Sequence, residues 1–216
     1  MASKKISMAV IKRLPRYHRY LNYLLELGIK RVSSKELSTR MGITASQIRQ
    51  DLNCFGGFGQ QGYGYNVESL YTEIGNILGI NRTFNCIIIG AGNMGQALAN
   101  YGNFEKRGFR IIGVFDVNPE IVGKKIKDLE VRNLNDIEAF VSDSKVDIAM
   151  LCVPYRETAA LADRVAKLGV RGLWNFSPMD LKIPYDVIVE NVHLSDSLMV
   201  LGYKLNDKFF KEEPLS

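Results

Sequence analysis

The chain has 216 residues, 46% of them hydrophobic and 24% charged, and a formal net charge of +5. That length accommodates one large or two small domains with an ordinary core. It contains neither a signal peptide nor an apolar stretch of about 18 residues, which excludes a secreted or membrane-spanning class and implies a cytoplasmic protein. The three cysteines, Cys54, Cys86 and Cys152, lie far apart with no C-x-x-C pair and no metal-ligand spacing, so no metal site is expected.

Charge divides the chain. Residues 1–82 hold 12 Lys/Arg against 5 Asp/Glu, whereas residues 83–216 hold 16 against 18. The first 20 residues carry Lys4, Lys5, Lys12, Arg13, Arg16 and Arg19 and no acid. A basic first third on a near-neutral remainder points to a polyanion partner for that third, the alternative being a solvated charged surface.

In chain order, Leu14, Tyr17, Leu21, Leu24 and Leu25 mark the apolar stripe of a helix that ends at Gly28, with Pro15 in its first turn. Arg13, Arg16 and Arg19 are then available for phosphates. Ser33-Ser34-Lys35-Glu36 is a capping box, and the helix it opens buries Leu37 and Met41 before Gly42 stops it. Thr44-Ala45-Ser46-Gln47 is a second box, whose helix sets Ala45, Ile48 and Leu52 on one face and Ser46, Gln47, Arg49, Gln50 and Asn53 on the rest. Two short helices across a tight glycine turn describe a helix-turn-helix whose second helix enters the major groove. Arg49 suits guanine, Gln47 or Gln50 suits adenine, and Ser46 suits a phosphate or a base edge. The alternative is a helical hairpin with a polar solvent face, Gln47 serving only to close its cap.

Residues Phe55 to Tyr65 contain five glycines and four aromatics in eleven positions. Glycines allow a tight ribbon with close backbone approach, and a ribbon straight after a recognition helix is the wing of a winged helix, with Gln60 and Gln61 at or near its tip. A disordered linker would lack the interleaved aromatics. Asn66 caps a further helix through Leu70, Ile74 and Leu78 to Gly79, which leads on towards residue 84.

From Phe84 an apolar strand runs into Gly90-Ala91-Gly92-Asn93-Met94-Gly95, a helical pattern follows, and Asp116 ends the next apolar run 21 residues past Gly95. This is the dinucleotide motif in its strand–turn–helix context. Asp116 is placed for the adenosine ribose 2′-hydroxyl, which selects NAD(H) over NADP(H). Beyond it, Leu134–Val141 reads as a helix, Val146–Val153 as a strand, Thr158–Leu168 as a helix, and residues 172–175 and 187–192 as strands. That rhythm implies a mostly parallel sheet with helices on both faces. Val153-Pro154 and Asn175-Phe176-Ser177-Pro178 follow strand ends, where ligands of such sheets lie; Pro154 and Phe176 are candidates to flank the nicotinamide, or are turn residues with no ligand. Tyr101, one turn past the glycine loop, either reaches the cofactor or packs its helix.

Nothing after residue 84 is left over for a substrate domain, and His193 is the only histidine there. The nucleotide therefore reads as a signal rather than a reagent, and no catalytic residue is expected. The competing classes are a small NAD-dependent oxidoreductase with a binding adaptor, and a thiol redox sensor.

The chain resembles the bacterial redox-sensing repressor family Rex over nearly its whole length. The resemblance rests on Ile11-Lys12-Arg13-Leu14, Arg31 to Leu37, Thr44 to Leu52, the Phe55-to-Tyr65 wing, Gly90 to Gly95, Phe115-Asp116, Cys152-Val153-Pro154, Asn175 to Pro178 and Val189 to Val192. It implies an α/β architecture of an N-terminal winged helix-turn-helix domain (1–82), a Rossmann-type parallel-sheet dinucleotide-binding domain (83–192) and a C-terminal helical segment (193–216) exchanged between the subunits of a homodimer. It also implies a repressor that holds a near-palindromic double-stranded operator and leaves it when NADH binds, NAD+ being the competing ligand. Residues implied at the cofactor are Gly90 to Gly95, Tyr101, Asp116, Pro154, Asn175, Phe176 and Ser177. Those implied at DNA are Arg13, Arg16, Ser34, Lys35, Thr44, Ser46, Gln47, Arg49, Gln50, Gly59, Gln60 and Tyr63. The exchanged helix would run from Leu194 to Phe210 with Leu198 and Leu201 on its apolar face. In some members an aspartate before this helix joins an N-terminal arginine in the switch; here His193 holds the aspartate's place and Arg19 the arginine's, and Asp196 is the carboxylate that can substitute.

Overall fold

A computed structural model describes residues 6–56, 59–60 and 63–210, with residues 59 and 60 described as backbone only. Lys4, Lys5, Gly57, Phe58, Gln61, Gly62 and the last six residues, all named above as part of the basic segment, the wing or the C-terminal segment, lie outside the described residues. The chain divides into two compact units, Met1–Arg82 and Thr83–Ser216.

The first unit packs four helices on a small sheet. Helix α1 spans Met8–Glu26, α2 Ser34–Met41, α3 Ala45–Asn53 and α4 Val67–Leu78; strands β1 (Arg31–Val32), β2 (Gly59–Gln60) and β3 (Gly64–Asn66) pair antiparallel in the order β1-β3-β2. Helix α1 starts a full two turns before Pro15, capped by Ser7, so Pro15 is inside the helix and not in its first turn. Its missing N–H costs about 3 kcal/mol. Burying Val10, Leu14, Tyr17, Leu21 and Leu24 along one stripe offsets that. The Ser33/Glu36 capping box is present in full. At Thr44 only half a box forms: its hydroxyl accepts from the Gln47 N–H, but the Gln47 side chain turns elsewhere. Strand β1 carried too short a pattern to be read from the sequence. It completes the ribbon sheet, and Gly64 is required there, because it has φ +71° and a Cβ would fall 2.7 Å from the Val32 carbonyl oxygen.

The second unit is a seven-stranded sheet. In chain order its elements are β4 (Phe84–Ile89), α5 (Asn93–Asn100), β5 (Phe109–Asp116), β6 (Lys125–Ile126), β7 (Leu129–Asn133), α6 (Ile137–Asp143), β8 (Ile148–Leu151), α7 (Tyr155–Lys167), β9 (Gly172–Asn175), β10 (Ile188–Asn191) and α8 (Leu194–Leu205). Strand order is β10-β9-β8-β4-β5-β7-β6, parallel throughout except for the β6–β7 hairpin. That hairpin was not read from the sequence: its turn places Lys127 at φ 52°, a position with no glycine to signal it. Strand β4 is buried on both sides, sending Ile87 and Ile89 into one core and Cys86 and Ile88 into the other, as period-two geometry requires of a central parallel strand. The C-terminal helix is α-helical only to Leu205 and continues as a wider turn over Asn206–Phe210; none of its described residues is buried.

Two of the motif glycines are fixed by packing. A Cβ on Gly95 would lie 1.9 Å from the Gly90 carbonyl oxygen, and one on Gly90 would lie 2.4 Å from the Cys152 carbonyl oxygen. Gly92 has nothing within 4 Å of its hypothetical Cβ and an ordinary extended backbone. Gly95→Ala is therefore expected to destabilise the second unit by at least ~3 kcal/mol, since backbone must shift, while Gly92→Ala leaves its thermal unfolding midpoint within a degree or two. Equal midpoints for the two variants would contradict this account.

Candidate functional site

In the second unit the strand registers bring the candidate residues to one edge. Ile89 is level with Phe115 and Leu151, Leu151 with Asn175, and Asn175 with Asn191. The glycine loop, Asp116, the Cys152-Val153-Pro154 turn and the Asn175-Phe176-Ser177 turn thus follow the carboxyl ends of adjacent parallel strands. The order reverses between β4 and β8: β5 lies on one side of β4 and the next crossover strand on the other. A crevice outside this point is where such sheets bind ligands.

The loop has the features of a phosphate cradle. Helix α5 begins at Asn93 with Gly92 as its cap and no side chain on its exposed N–H groups, which leaves a partial positive charge facing the open space beside Gly92. Ala91, Asn93 and Met94 complete the loop, and Gln96 Nε2 donates to the Ala91 carbonyl at 2.8 Å, bracing it. Asp116 stands beside the loop: its carboxylate accepts from the Ala91 N–H at 2.6 Å and the Asn118 N–H at 2.8 Å. Each oxygen keeps a lone pair for a further donor.

From Phe176 at this edge an aromatic chain runs back towards the amino ends of the strands, where Tyr101 and Phe104 lie beside Phe109. Tyr101 packs edge-on against Phe104 (4.8 Å), Phe104 against Trp174 (5.6 Å) and Trp174 against Phe176 (4.6 Å). The sequence reading singled out the two ends of this chain and missed Phe104 and Trp174, which become neighbours only when β9 folds beside β8. Trp174 and Phe104 also line an apolar groove of about 360 Å³ with Met150 and Ile188, on the sheet and away from the glycine loop. Pro154 is exposed at the cap of α7. Asn175 is fully buried and committed within the unit: its Nδ2 donates to the Met179 carbonyl at 2.7 Å and to Asn191 Oδ1 at 2.9 Å, and its Oδ1 accepts from the Ser177 N–H. It shapes the turn rather than facing solvent, and Asn191 is its unforeseen partner. Ser177 Oγ is buried with no hydrogen-bond partner among the described residues.

Burial pushes the Cys86 and Cys152 thiols up to about 12. Both are protonated at neutral pH, the unreactive form. His193 does not stand alone before α8: its Nε2 lies 3.0 Å from Asp180 Oδ1. Asp196 sits in the first turn of α8, and Leu198 and Leu201 are exposed on it.

In the first unit α3 turns Ser46, Arg49, Gln50 and Asn53 outward. Arg49 Nη1 donates to Ser34 Oγ at 3.2 Å, so the recognition helix and the first turn of α2 present one polar surface with exposed Lys35 and the capping residue Thr44. On the ribbon, exposed Tyr63 has the Arg31 guanidinium 5.8 Å from its ring centroid. Gly59 and Gln60 lie on β2, opposite β3. Exposed Arg16 donates to the Met41 carbonyl at 2.6 Å, and Arg19 is exposed on α1.

Arg13 is placed differently from that expectation. Its Nε and Nη2 form a two-point ion pair with Asp51 at 2.6 and 2.7 Å, and Asp51 also accepts from Tyr17 Oη (3.0 Å) and Gln47 Nε2 (2.8 Å). Asp51 is 0% exposed. Burial alone would raise its carboxyl; the hydrogen bonds from Arg13, Gln47 and Tyr17 outweigh it and hold the group below the ordinary carboxylate range. Burial beside that charge drives the Tyr17 hydroxyl upward. Asp51 was not among the residues expected at a site, although an acid one turn after Gln47, between the buried Ile48 and Leu52, signals a buried partner.

Residues 5–53 match a family described as "Putative DNA-binding protein N-terminus" and residues 81–179 one described as "CoA binding domain". The redox-sensing transcriptional repressor Rex of Thermoanaerobacter pseudethanolicus is 60% identical over 204 residues, 94% of this chain and 91% of that protein. The protein of the same name from Clostridioides difficile is 56% identical over 96% of this chain and 99% of its own length. Among solved structures, RSP in complex with beta-NADH superposes with a TM-score of 0.88 at 55% identity, covering 97% of this chain and 99% of that one. RSP with beta-NAD+ and operator DNA gives 0.88 at 59% identity over 96% of each chain.

The depressed carboxyl of Asp51 makes stability depend on acid. Above its unfolded value of about 3.9 the group is ionised in both states and its full contribution is present; that contribution is lost as pH falls through the lower folded value. Melting of the first unit should therefore drop more steeply from about pH 5 to about pH 2 in the wild type than in Asp51→Asn. Parallel curves would remove Asp51 as a cause.

Proposed function

Because this chain belongs to the Rex family of redox-sensing transcriptional repressors, we propose that it is a DNA-binding repressor gated by the reduced dinucleotide, acting in the cytoplasm as a homodimer. The observation that carries the reading is the pairing, in one chain, of a basic helix-turn-helix unit with a strand-edge crevice built around Gly90–Gly95 and Asp116.

At the crevice the pyrophosphate rests on the N-terminus of α5 beside Gly92, with Ala91, Asn93 and Met94 supplying loop backbone. The Asp116 carboxylate takes the adenosine ribose hydroxyls and repels a 2′-phosphate. The nicotinamide lies towards Tyr101, Pro154 and Phe176, with Asn175 holding the turn and Ser177 Oγ available beneath it. The oxidised ring is cationic and the reduced ring neutral, so an apolar pocket near Phe176 and Pro154 penalises NAD+ by desolvation. A ligand can shift a two-state equilibrium only by its differential affinity for the two states, and a tenfold preference is about 1.4 kcal/mol.

At DNA, Arg49, Gln50 and Ser46 face the major groove; Thr44, Ser34, Lys35 and Arg16 take phosphates; and the ribbon bearing Gly59, Gln60 and Tyr63 approaches the adjacent backbone. The second copy covers the exposed apolar side chains of α8, including Leu194, Leu198, Leu201 and Leu205. Symmetry then demands a near-palindromic operator with half-sites spaced at about 34–36 Å or its multiples. His193 stands at the start of α8 with its Nε2 3.0 Å from Asp180 of the preceding turn, and Asp196 in the first helical turn is the carboxylate that can substitute in the switch.

NADH titrated against the repressor–operator complex is expected to release the DNA, with NAD+ far less effective; unchanged operator affinity at saturating NADH would defeat the reading. Gly92→Val should crowd the pyrophosphate and abolish that response while operator binding persists. Asp116→Ala should narrow the discrimination between NADH and NADPH, read by direct binding of each. Arg49→Ala should weaken operator binding by about 1–3 kcal/mol without altering NADH affinity.

A further inference from the structure

Of the four basic side chains in α1 at positions 12, 13, 16 and 19, Arg13 alone has its charge paired with a carboxylate among the described residues. Its guanidinium is one-quarter exposed and meets a carboxylate with 0% exposure. All four hydrogen bonds to that carboxylate come from α1 (Arg13, Tyr17) or from α3 itself (Gln47). Asp51 is also three residues from Ile48 and one from Leu52, both fully buried, so it belongs to the inward face of α3, opposite exposed Ser46, Arg49 and Gln50.

We infer that Asp51 is a specificity-determining positioning residue, which withdraws Arg13 from the charge offered to DNA and locks the recognition helix against α1. The inference rests on the DNA-binding reading above. A two-point pair to a buried carboxylate is geometrically restrictive, because the planar guanidinium must present two N–H groups to the two oxygens at once, here Nε and Nη2. Rotation or sliding of α3 breaks it and strands a charge in the core, which is strongly unfavourable. The pitch at which Arg49 and Gln50 meet base edges is therefore set from behind the helix. The same pair keeps one cation away from phosphates, whose attraction is indifferent to sequence. Gln47 is drawn into this lock as well, so base readout falls to Arg49 and Gln50.

The test measures the affinity of the full chain for two duplexes over a series of salt concentrations. One duplex is selected by the protein itself from a random-sequence pool; the other is an unselected duplex of equal length. Freed from its carboxylate, Arg13 in Asp51→Asn gains a phosphate, so the plot of log affinity against log salt steepens by about 0.9. The ratio of selected to unselected affinity falls about tenfold or more. Arg13→Met/Asp51→Leu, which removes both charges and fills the site with apolar atoms, keeps the wild-type slope on the unselected duplex. A double variant shallower than wild type by about 0.9 would put Arg13 on a phosphate in the native complex and overturn the inference. So would an Asp51→Asn protein with wild-type slope and ratio. Should Asp51→Asn not fold, the double variant decides alone. A wild-type protein without salt-dependent binding to either duplex would instead remove the DNA-binding reading itself.

Discussion

The nucleotide unit turns on a backbone-to-backbone approach. Gly95 sits so close to the Gly90 carbonyl, and Gly90 to the Cys152 carbonyl, that no side chain fits at either position. This approach draws the first turn of α5 down onto the end of β4 and brings the β8 edge alongside. Without it the uncapped N–H groups of α5 would not face the same crevice as Asp116 and Phe176. Gly92 differs in kind: space is open around it, so its lack of a side chain matters to a ligand rather than to the fold.

A different device organises the DNA-binding unit. Its core is held by the Arg13–Asp51 pair with Tyr17 and Gln47 attached, a polar network in otherwise apolar packing. Such a network is costly if half satisfied and highly orienting when complete. Here every oxygen of the carboxylate is engaged, and the direction of α3 follows. The two units thus differ in kind: one leaves the N–H groups at the start of α5 without a side-chain cap, the other pairs the Arg13 charge with a buried carboxylate.

The C-terminal helix shows what one chain does not complete. Leu194, Leu198, Met199, Val200, Leu201, Leu205, Phe209 and Phe210 are all exposed, large apolar side chains that this chain leaves uncovered. In the proposed homodimer a second copy covers them symmetrically, which would give each half of a palindromic operator the same reader. The His193–Asp180 contact lies at the start of this helix, so His193 is itself supplied with a carboxylate by the neighbouring turn.

Most of the architecture was legible because it is written in local signals. Caps at Ser33, Thr44 and Asn66, stops at Gly42 and Gly79, and the glycine loop between strand and helix depend on residues within a few positions of one another, and so did the alternation that announced the parallel sheet. Short strands such as Arg31–Val32, and a hairpin turning through Lys127 without glycine, carry no such signal and need a partner strand to exist. The same limit governs the sites. Spacing and periodicity alone put Asp116 at the end of the strand after the glycine loop and Arg49 on the exposed face of its helix, where the structure has them. Only the tertiary structure decided that Arg13 turns inward to Asp51, 38 positions away, that Asn175 is clasped by Asn191, and that Phe104 and Trp174 join Tyr101 to Phe176. A charged or amide side chain has several possible partners, and which one it takes is settled by which distant backbone the packing of apolar faces brings within reach.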